Sequence, residues 1–308
     1  MQQNPLIFSP NVRNALDSRK AILALESTVI THGLPYPQNF EALARLEAVA
    51  TDAGVVPATI AVIDGAFKVG LSGDDVEYLR DVFTSGKRSS IQKISIRELA
   101  LASVTGATGG TTVSATMCIA NMAGIKVFAT GGIGGVHRGW QHSADISSDL
   151  SALSRIPVIV ICAGCKAILD VPATIECLES LAVPVLGWNC DDFPTFYSRT
   201  SGIRITSVQD AGKIAAMYRL MRESSIPDTG LLLVNPIPRE HEIPNDEIEP
   251  FIKQAIQQAA ARNIGSKELT PYLLDNLAQS TKGRSIEANL ALLENNVRTA
   301  AIIAKELS

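Results

Sequence analysis

Short aliphatic runs alternate along this chain with longer stretches of helical period, and no other feature narrows the possible folds as much. The runs at residues 21–25, 59–63, 126–130, 157–162, 184–186 and 231–234 read as strands. Residues 39–53, 113–123, 173–180 and 208–224 read as the helices between them. Strands separated by helices pair in parallel, so the pattern specifies an α/β sheet with covered faces. Aromatics make up only 5% of the 308 residues, whereas 46% are hydrophobic, so the core must be mainly Ala, Ile, Leu and Val. From residue 246 onward the chain reads as helical to its end, with breaks at Gly265, Thr270-Pro271 and Gly283. No linker or repeat divides it, which predicts one domain over residues 1–308.

Composition excludes some functions. A formal charge of −4 speaks against a general nucleic-acid or membrane-surface binder, which needs a basic face. The longest apolar run, residues 156–163, is far too short to cross a bilayer. No apolar segment of secretory type is legible near the N-terminus. The five cysteines sit inside apolar segments and read as reduced, buried thiols, which predicts a cytoplasmic location. Cys162 and Cys165 have redox spacing, but Cys162 closes a strand instead of opening a helix, so the structural reading is preferred.

In a parallel α/β sheet, ligands gather beyond the carboxyl ends of the strands. Glu26 ends the first run and is followed by Ser27-Thr28. Thr130 ends another and opens a glycine-rich stretch through Gly139. Lys166 follows the run at 157–162, where a helix is expected to start, and Asn235 follows the last. A lysine at a helix start, against an apolar wall, is biased toward the neutral amine that carbonyl chemistry requires. A first-turn surface lysine is the competing reading. Glu26 is either a buried general acid or base or a structural carboxylate.

The stretch from Gly106 to Val113 runs into a helix and offers bare backbone N–H groups, a cradle for phosphate. Tight packing would account for the same glycines. Thr111 or Thr112 is the expected cap of that helix. Asp145 and Asp149 would share a helix face, with His137 and His142 just upstream. Such hard oxygen donors suit Mg²⁺ or Mn²⁺, while a helix capped by Ser143 or Asp145 is the plainer alternative.

Taken together, these segments resemble one family. Residues 24–39 (ALESTVITHGLPYPQN), 56–61 (VPATIA), 129–138, 145–150 (DISSDL), 162–170 (CAGCKAILD), 235–238 (NPIP), 270–274 (TPYLL) and 285–289 (SIEAN) are similar to motifs of the pseudouridine-5′-phosphate glycosidases, also called indigoidine synthase A-like proteins. The similarity runs from about Phe8 to Leu307. It implies a three-layer α/β/α sandwich with a mostly parallel central sheet, and a homotrimer. It implies reversible cleavage of pseudouridine 5′-phosphate to uracil and ribose 5-phosphate, with Lys166 as covalent nucleophile and Glu26 as proton donor. It further implies Mn²⁺ at Asp145 and substrate contacts at Lys93, the Val113 backbone, Ser147, Ser148 and Asp149. Thr112, His137 and Asn289 are added as candidate substrate contacts. The rival within the same chemistry is a C-glycoside synthase joining ribose 5-phosphate to an acceptor other than uracil.

Overall fold

The computed structural model describes residues 5–308 apart from 225, 227, 263 and 265–268, and at Thr270 the backbone alone. Eleven strands form one sheet. They are β1 (Leu6–Phe8), β2 (Ile22–Glu26), β3 (Val56–Ile63), β4 (Ala66–Val69), β5 (Gln92–Ile94) and β6 (Gly109–Thr111), then β7 (Val127–Ala129), β8 (Ile159–Cys162), β9 (Val185–Trp188), β10 (Thr206–Val208) and β11 (Leu231–Val234). The helices are α1 (Pro10–Asp17), α2 (Gln38–Asp52), α3 (Gly73–Thr84), α4 (Leu99–Thr105), α5 (Val113–Met122) and α6 (Trp140–Ser143). They continue with α7 (Ser148–Leu153), α8 (Val171–Ser180), α9 (Ala211–Glu223), α10 (Asn245–Ala261), α11 (Leu269–Ser280) and α12 (Arg284–Glu306).

The strand order is β1-β4-β3-β2-β7-β8-β11-β9-β10, with β5 attached through β6 to β3. All pairings are parallel except those of β3 with β4 and with β6. From β2 the chain crosses to β3 on one side, and later from β7 to β8 on the other. Right-handed crossovers then put α2 on one face and α5, α7 and α8 on the opposite face. The return from β10 through α9 to β11 runs backward, so α9 joins α2, and α12 packs between those two against β7 and β8. The result is the expected three-layer α/β/α sandwich. Strands such as β8 and β11 are buried at every residue, because both faces are covered.

Two details of this topology prepare the site. The direction of winding reverses between β2 and β7, and such a switch point leaves a crevice above the strand ends. In addition, β2 pairs with β3 only as far as Glu26 opposite Ile60, and β6 takes over that edge at Ala61 and Val62. The end of β6 therefore hangs over the end of β2.

Two expectations about helices need correction. Lys166 is not at a helix start: α8 begins at Val171, capped by Asp170, whose carboxylate accepts from Ala173 N at 3.1 Å. Thr270-Pro271 is not a break either, because it lies in the first turn of α11, where a proline's missing N–H has no intrahelical partner to lose. The break at Gly283 is present, with a left-handed φ of 87°. The break assigned to Gly265 falls outside the described residues.

Candidate active site

A cavity of about 280 Å³ opens at the switch point, lined among others by Glu26, Thr28, His32, Lys93, Thr112 and Gly134. His137, Asp145, Ser147, Ser148, Asp149, Lys166, Phe196 and Asn289 complete its polar and aromatic wall. Of the catalytic, metal and substrate-contact residues expected from sequence, only Val113 stays off the lining. Its side chain is buried behind Thr112.

Glu26 stands at the last position of β2 and is buried. Thr130 Oγ1, just past β7, donates a short hydrogen bond to Glu26 Oε1. Thr28 Oγ1 lies 2.7 Å from Oε2 and 2.5 Å from the carbonyl oxygen of Thr111 at the end of β6. Beyond Thr28 the chain makes one turn of π-helix over Val29–Gly33, a wide turn often found at functional sites. It turns His32 into the cavity. Burial, then Lys93 and Arg88, hold the imidazole down at about 4, so it is neutral near pH 7.

Lys166 rides on the segment between β8 and α8. Pairing continues past the strand ends here: Ile133 N donates to Gly164 O and Lys166 N to Ile133 O, each at 3.1 Å. Gly164 has a φ of 84°, and a Cβ there would lie 1.9 Å from Pro194 O, so only glycine lets this segment press against the next loop. Arg138 secures the far side, donating to the carbonyls of Ala167 at 3.1 Å and Leu169 at 3.3 Å while pairing with Glu249 of α10. The lysine's backbone is thus held on both sides. Among the described residues its amine has no hydrogen-bond or ion-pair partner.

The two glycine segments are packing devices. A Cβ on Gly110 would sit 2.1 Å from Thr31 Oγ1, and one on Gly109 2.3 Å from Gln92 O. Their backbones belong to β6, so the expected phosphate cradle over 106–113 is not a bare loop. Thr112 is at the cap position of α5, but its side chain makes no capping bond. Asp149 does that work from α7: Oδ1 accepts from Ser114 N at 2.9 Å and Oδ2 from Gly134 N at 2.8 Å. A carboxylate there also answers the positive end of the helix dipole. Ser147 caps α7 in place of Ser143 or Asp145.

Asp145 and Asp149 therefore do not share a helix face, since Asp145 precedes α7. Among the described residues no three His, Cys, Asp or Glu side chains converge as a metal cage. Asp145 instead presents one carboxylate beside His137, whose N–H donates to the Asp145 carbonyl at 3.0 Å. One hard oxygen donor at a cavity wall fits a Mn²⁺ or Mg²⁺ ion that keeps most of its waters. Burial lowers the affinity of His137 for a proton, with Lys166 and Lys93 acting the same way and Asp145 opposing them.

Asn289, on α12, is buried and lines the cavity, and its Oδ1 has no partner. A buried amide oxygen that meets no donor among the described residues is costly. Cys162 and Cys165 are wholly buried free thiols, both pushed up to about 12 by burial, and so are inert. His142 does not line the cavity.

The chain matches the family model described as indigoidine synthase A like protein over residues 11–306. It is 49% identical to a pseudouridine-5′-phosphate glycosidase of Paracoccus denitrificans, covering 99% of each chain. It is 42% identical to one of Staphylococcus aureus, covering 98% of this chain and 96% of the relative. Two solved structures superpose with a TM-score of 0.87 at 34% identity. One is an indigoidine synthase A-like protein of Thermotoga maritima, with 100% of this chain and 98% of the other covered. The second is the prealnumycin C-glycosynthase AlnA in complex with ribulose 5-phosphate, covered at 98% and 96%.

Proposed function

We infer the reaction from one premise: this chain belongs to the indigoidine synthase A like protein family, across nearly its whole length. It is an enzyme that cleaves the carbon–carbon glycosidic bond of pseudouridine 5′-phosphate to uracil and ribose 5-phosphate, reversibly. The single observation that carries this reading is identity of 42–49% over full length to glycosidases of that activity. The C-glycosynthase neighbour, at 34%, stands further off.

The site's chemistry supports a lysine route. Carbon C5 of uracil cannot leave as an oxygen or nitrogen can, so the two-carboxylate scheme of ordinary glycosidases does not serve. Glu26 gives its proton to the ribose ring oxygen as the C1′–O4′ bond breaks. The lone pair of Lys166 Nζ adds to C1′ of the opened chain. Once Nζ has lost a proton and C5 has gained one, the nitrogen's remaining lone pair forms the C=N bond as the C1′–C5 bond breaks, which releases uracil and leaves an imine of ribose 5-phosphate that water hydrolyses. Lys93 and Thr112, near His32 and Arg97, supply donors for the phosphate. Because Asp149 has both oxygens on backbone amides, its contribution to substrate is to hold Ser114 and Gly134 in place. Asp145 would hold a hydrated Mn²⁺, which when bound supplies positive charge at the cavity wall. A trimer remains the assembly that the family resemblance implies.

The test is product analysis. Protein incubated with Mn²⁺ and pseudouridine 5′-phosphate should release uracil and ribose 5-phosphate in equal amounts. Release of neither, with coupling of ribose 5-phosphate to a different acceptor, would replace this reading by the synthase. Unphosphorylated pseudouridine should be a far poorer substrate, since the remote phosphate helps position the reacting carbon. Equal kcat/KM for the two would refute the phosphate assignment.

A further inference from the structure

Helix α12 packs against β7 and β8, where a covering helix face is ordinarily apolar. Here it encloses an amide completely, that of Asn296, and such burial is costly unless the polar atoms find partners. Asn296 Nδ2 donates to the carbonyl oxygen of Thr130 at 2.8 Å, and its Oδ1 accepts from Asn235 Nδ2 at 3.1 Å. A carbonyl oxygen can only accept, so the amide has one orientation, nitrogen toward Thr130 and oxygen toward Asn235. We propose that Asn296 is a positioning residue for Glu26, acting through Thr130. The inference rests on Glu26 being the proton donor of the reaction above.

Thr130 is held at three points. Its N–H donates to Ile161 O of β8 at 3.0 Å, its carbonyl oxygen meets Asn296, and its hydroxyl donates to Glu26 Oε1. With the peptide groups on both sides of it fixed, the Cα–Cβ bond of Thr130 has one direction. Rotation about that bond is then all that aims the hydroxyl, and the contact with Glu26 selects the rotamer. The registers of β7 with β2 and with β8 both end at Ala129, so the Thr130 carbonyl lies past them and Asn296 supplies a donor there. Neither Thr130 nor Asn296 lines the cavity, which separates their work from substrate binding.

The segment at 235–238 holds the amide from its other side. Asn235 N–H donates to Cys162 O at the end of β8 at 2.8 Å, and its two Nδ2 hydrogens serve Asn296 Oδ1 and Thr299 Oγ1, each at 3.1 Å. Beside it, Asn295 Nδ2 donates to Pro236 O at 3.0 Å. Helix α12 is thereby keyed to the ends of β7, β8 and β11 together. Asn289 stands two turns before Asn296 on the same side of α12 and lines the cavity, so one rigid element carries both.

A double-mutant cycle in kcat on pseudouridine 5′-phosphate tests the coupling. Asn296→Leu should lower kcat roughly five- to tenfold with KM held within about twofold, and Thr130→Val should do the same. In the Thr130→Val background, Asn296→Leu should lower kcat by less than about twofold, because no hydroxyl is left to aim. Equal losses in both backgrounds, or a raised KM with kcat unchanged, would show that Asn296 only seats α12 and would overturn the proposal. A lowered melting temperature with the parent's kcat per folded chain would overturn it too. If Asn296→Leu does not fold, Asn235→Ala takes its place, since it keeps the Asn296 donor and removes what aims it. It should lower kcat roughly two- to fourfold, and not at all in the Thr130→Val background. An unchanged kcat, or a loss that persists in that background, would sink the idea. Uracil release by the parent tests the glycosidase reading separately. A parent that releases uracil with an additive cycle refutes the role of Asn296 alone, and a parent that releases none refutes the reading beneath it.

Discussion

Glu26 ends β2 and Lys166 follows β8, one strand removed on either side of β7, and both face the same cavity. The Glu26 carboxyl is gripped by hydroxyls from two other segments. For Lys166 the grip is on the backbone alone, through Ile133, Gly164 and Arg138, and the amine has no partner among the described residues. The difference fits the roles proposed for the two groups. An acid that returns to the same state each cycle gains from a fixed proton geometry, whereas a nucleophile must present a free lone pair and move with the atom it attacks.

The strongest way to break this comparison is at the lysine. Lys166→Ala should lower kcat by at least roughly 10⁴-fold, because no other group replaces a covalent nucleophile. Ribose 5-phosphate should still bind, which calorimetry would read, and the melting temperature should hold because the amine supports nothing. Glu26→Gln should lower kcat by roughly 10²–10⁴-fold, the range of a lost general acid. Its fold should persist, since an amide can still meet Thr28 and Thr130. Near-normal turnover in either variant would erase the proposed division of labour.

Asp149→Ala tests whether the frame around both groups is built as described. It leaves Ser114 N and Gly134 N without acceptors, so chemical denaturation should show a loss of about 2–4 kcal/mol. The smallest effect concerns His32. Its proton affinity lies at about 4 in the folded chain against 6.5 otherwise, so the unfolded state binds more protons between those values. The stability due to neutral His32 is whole above pH 6.5 and is lost as pH falls toward 4. His32→Asn should flatten the fall in melting temperature over that window, and an unchanged slope would show that His32 is not the group responsible.

Much of the sheet was legible because buried parallel strands are aliphatic runs, and all six expected strands are present with ends within three residues. The strands that were missed are short or sit at edges. The β3–β4 hairpin had a readable signal in Asp64-Gly65, both at positive φ, which suits a tight turn between strands. Strand β6 had none, because its glycines looked like a loop and its pairing is set by a distant edge of β3. The position of Glu26 at a strand end was readable, and its environment was not. Thr111 and Thr130 lie 85 and 104 residues further on, and only the switch-point topology brings them to the carboxyl. Arg138, lost in the glycine run, carries no local sign that it clamps the lysine segment. For Lys166 itself, a helix start five residues beyond the expected place removes the dipole argument, and what remains is an amine without a hydrogen-bond partner among the described residues.

The most direct test of the account is reductive trapping. Protein incubated with ribose 5-phosphate and then borohydride should gain the mass of one reduced pentose phosphate per chain, and peptide mapping should find it on Lys166. Lys166→Ala should gain none. Turnover without any trapped adduct, or an adduct on a different lysine, would contradict the assignment of Lys166 as the nucleophile.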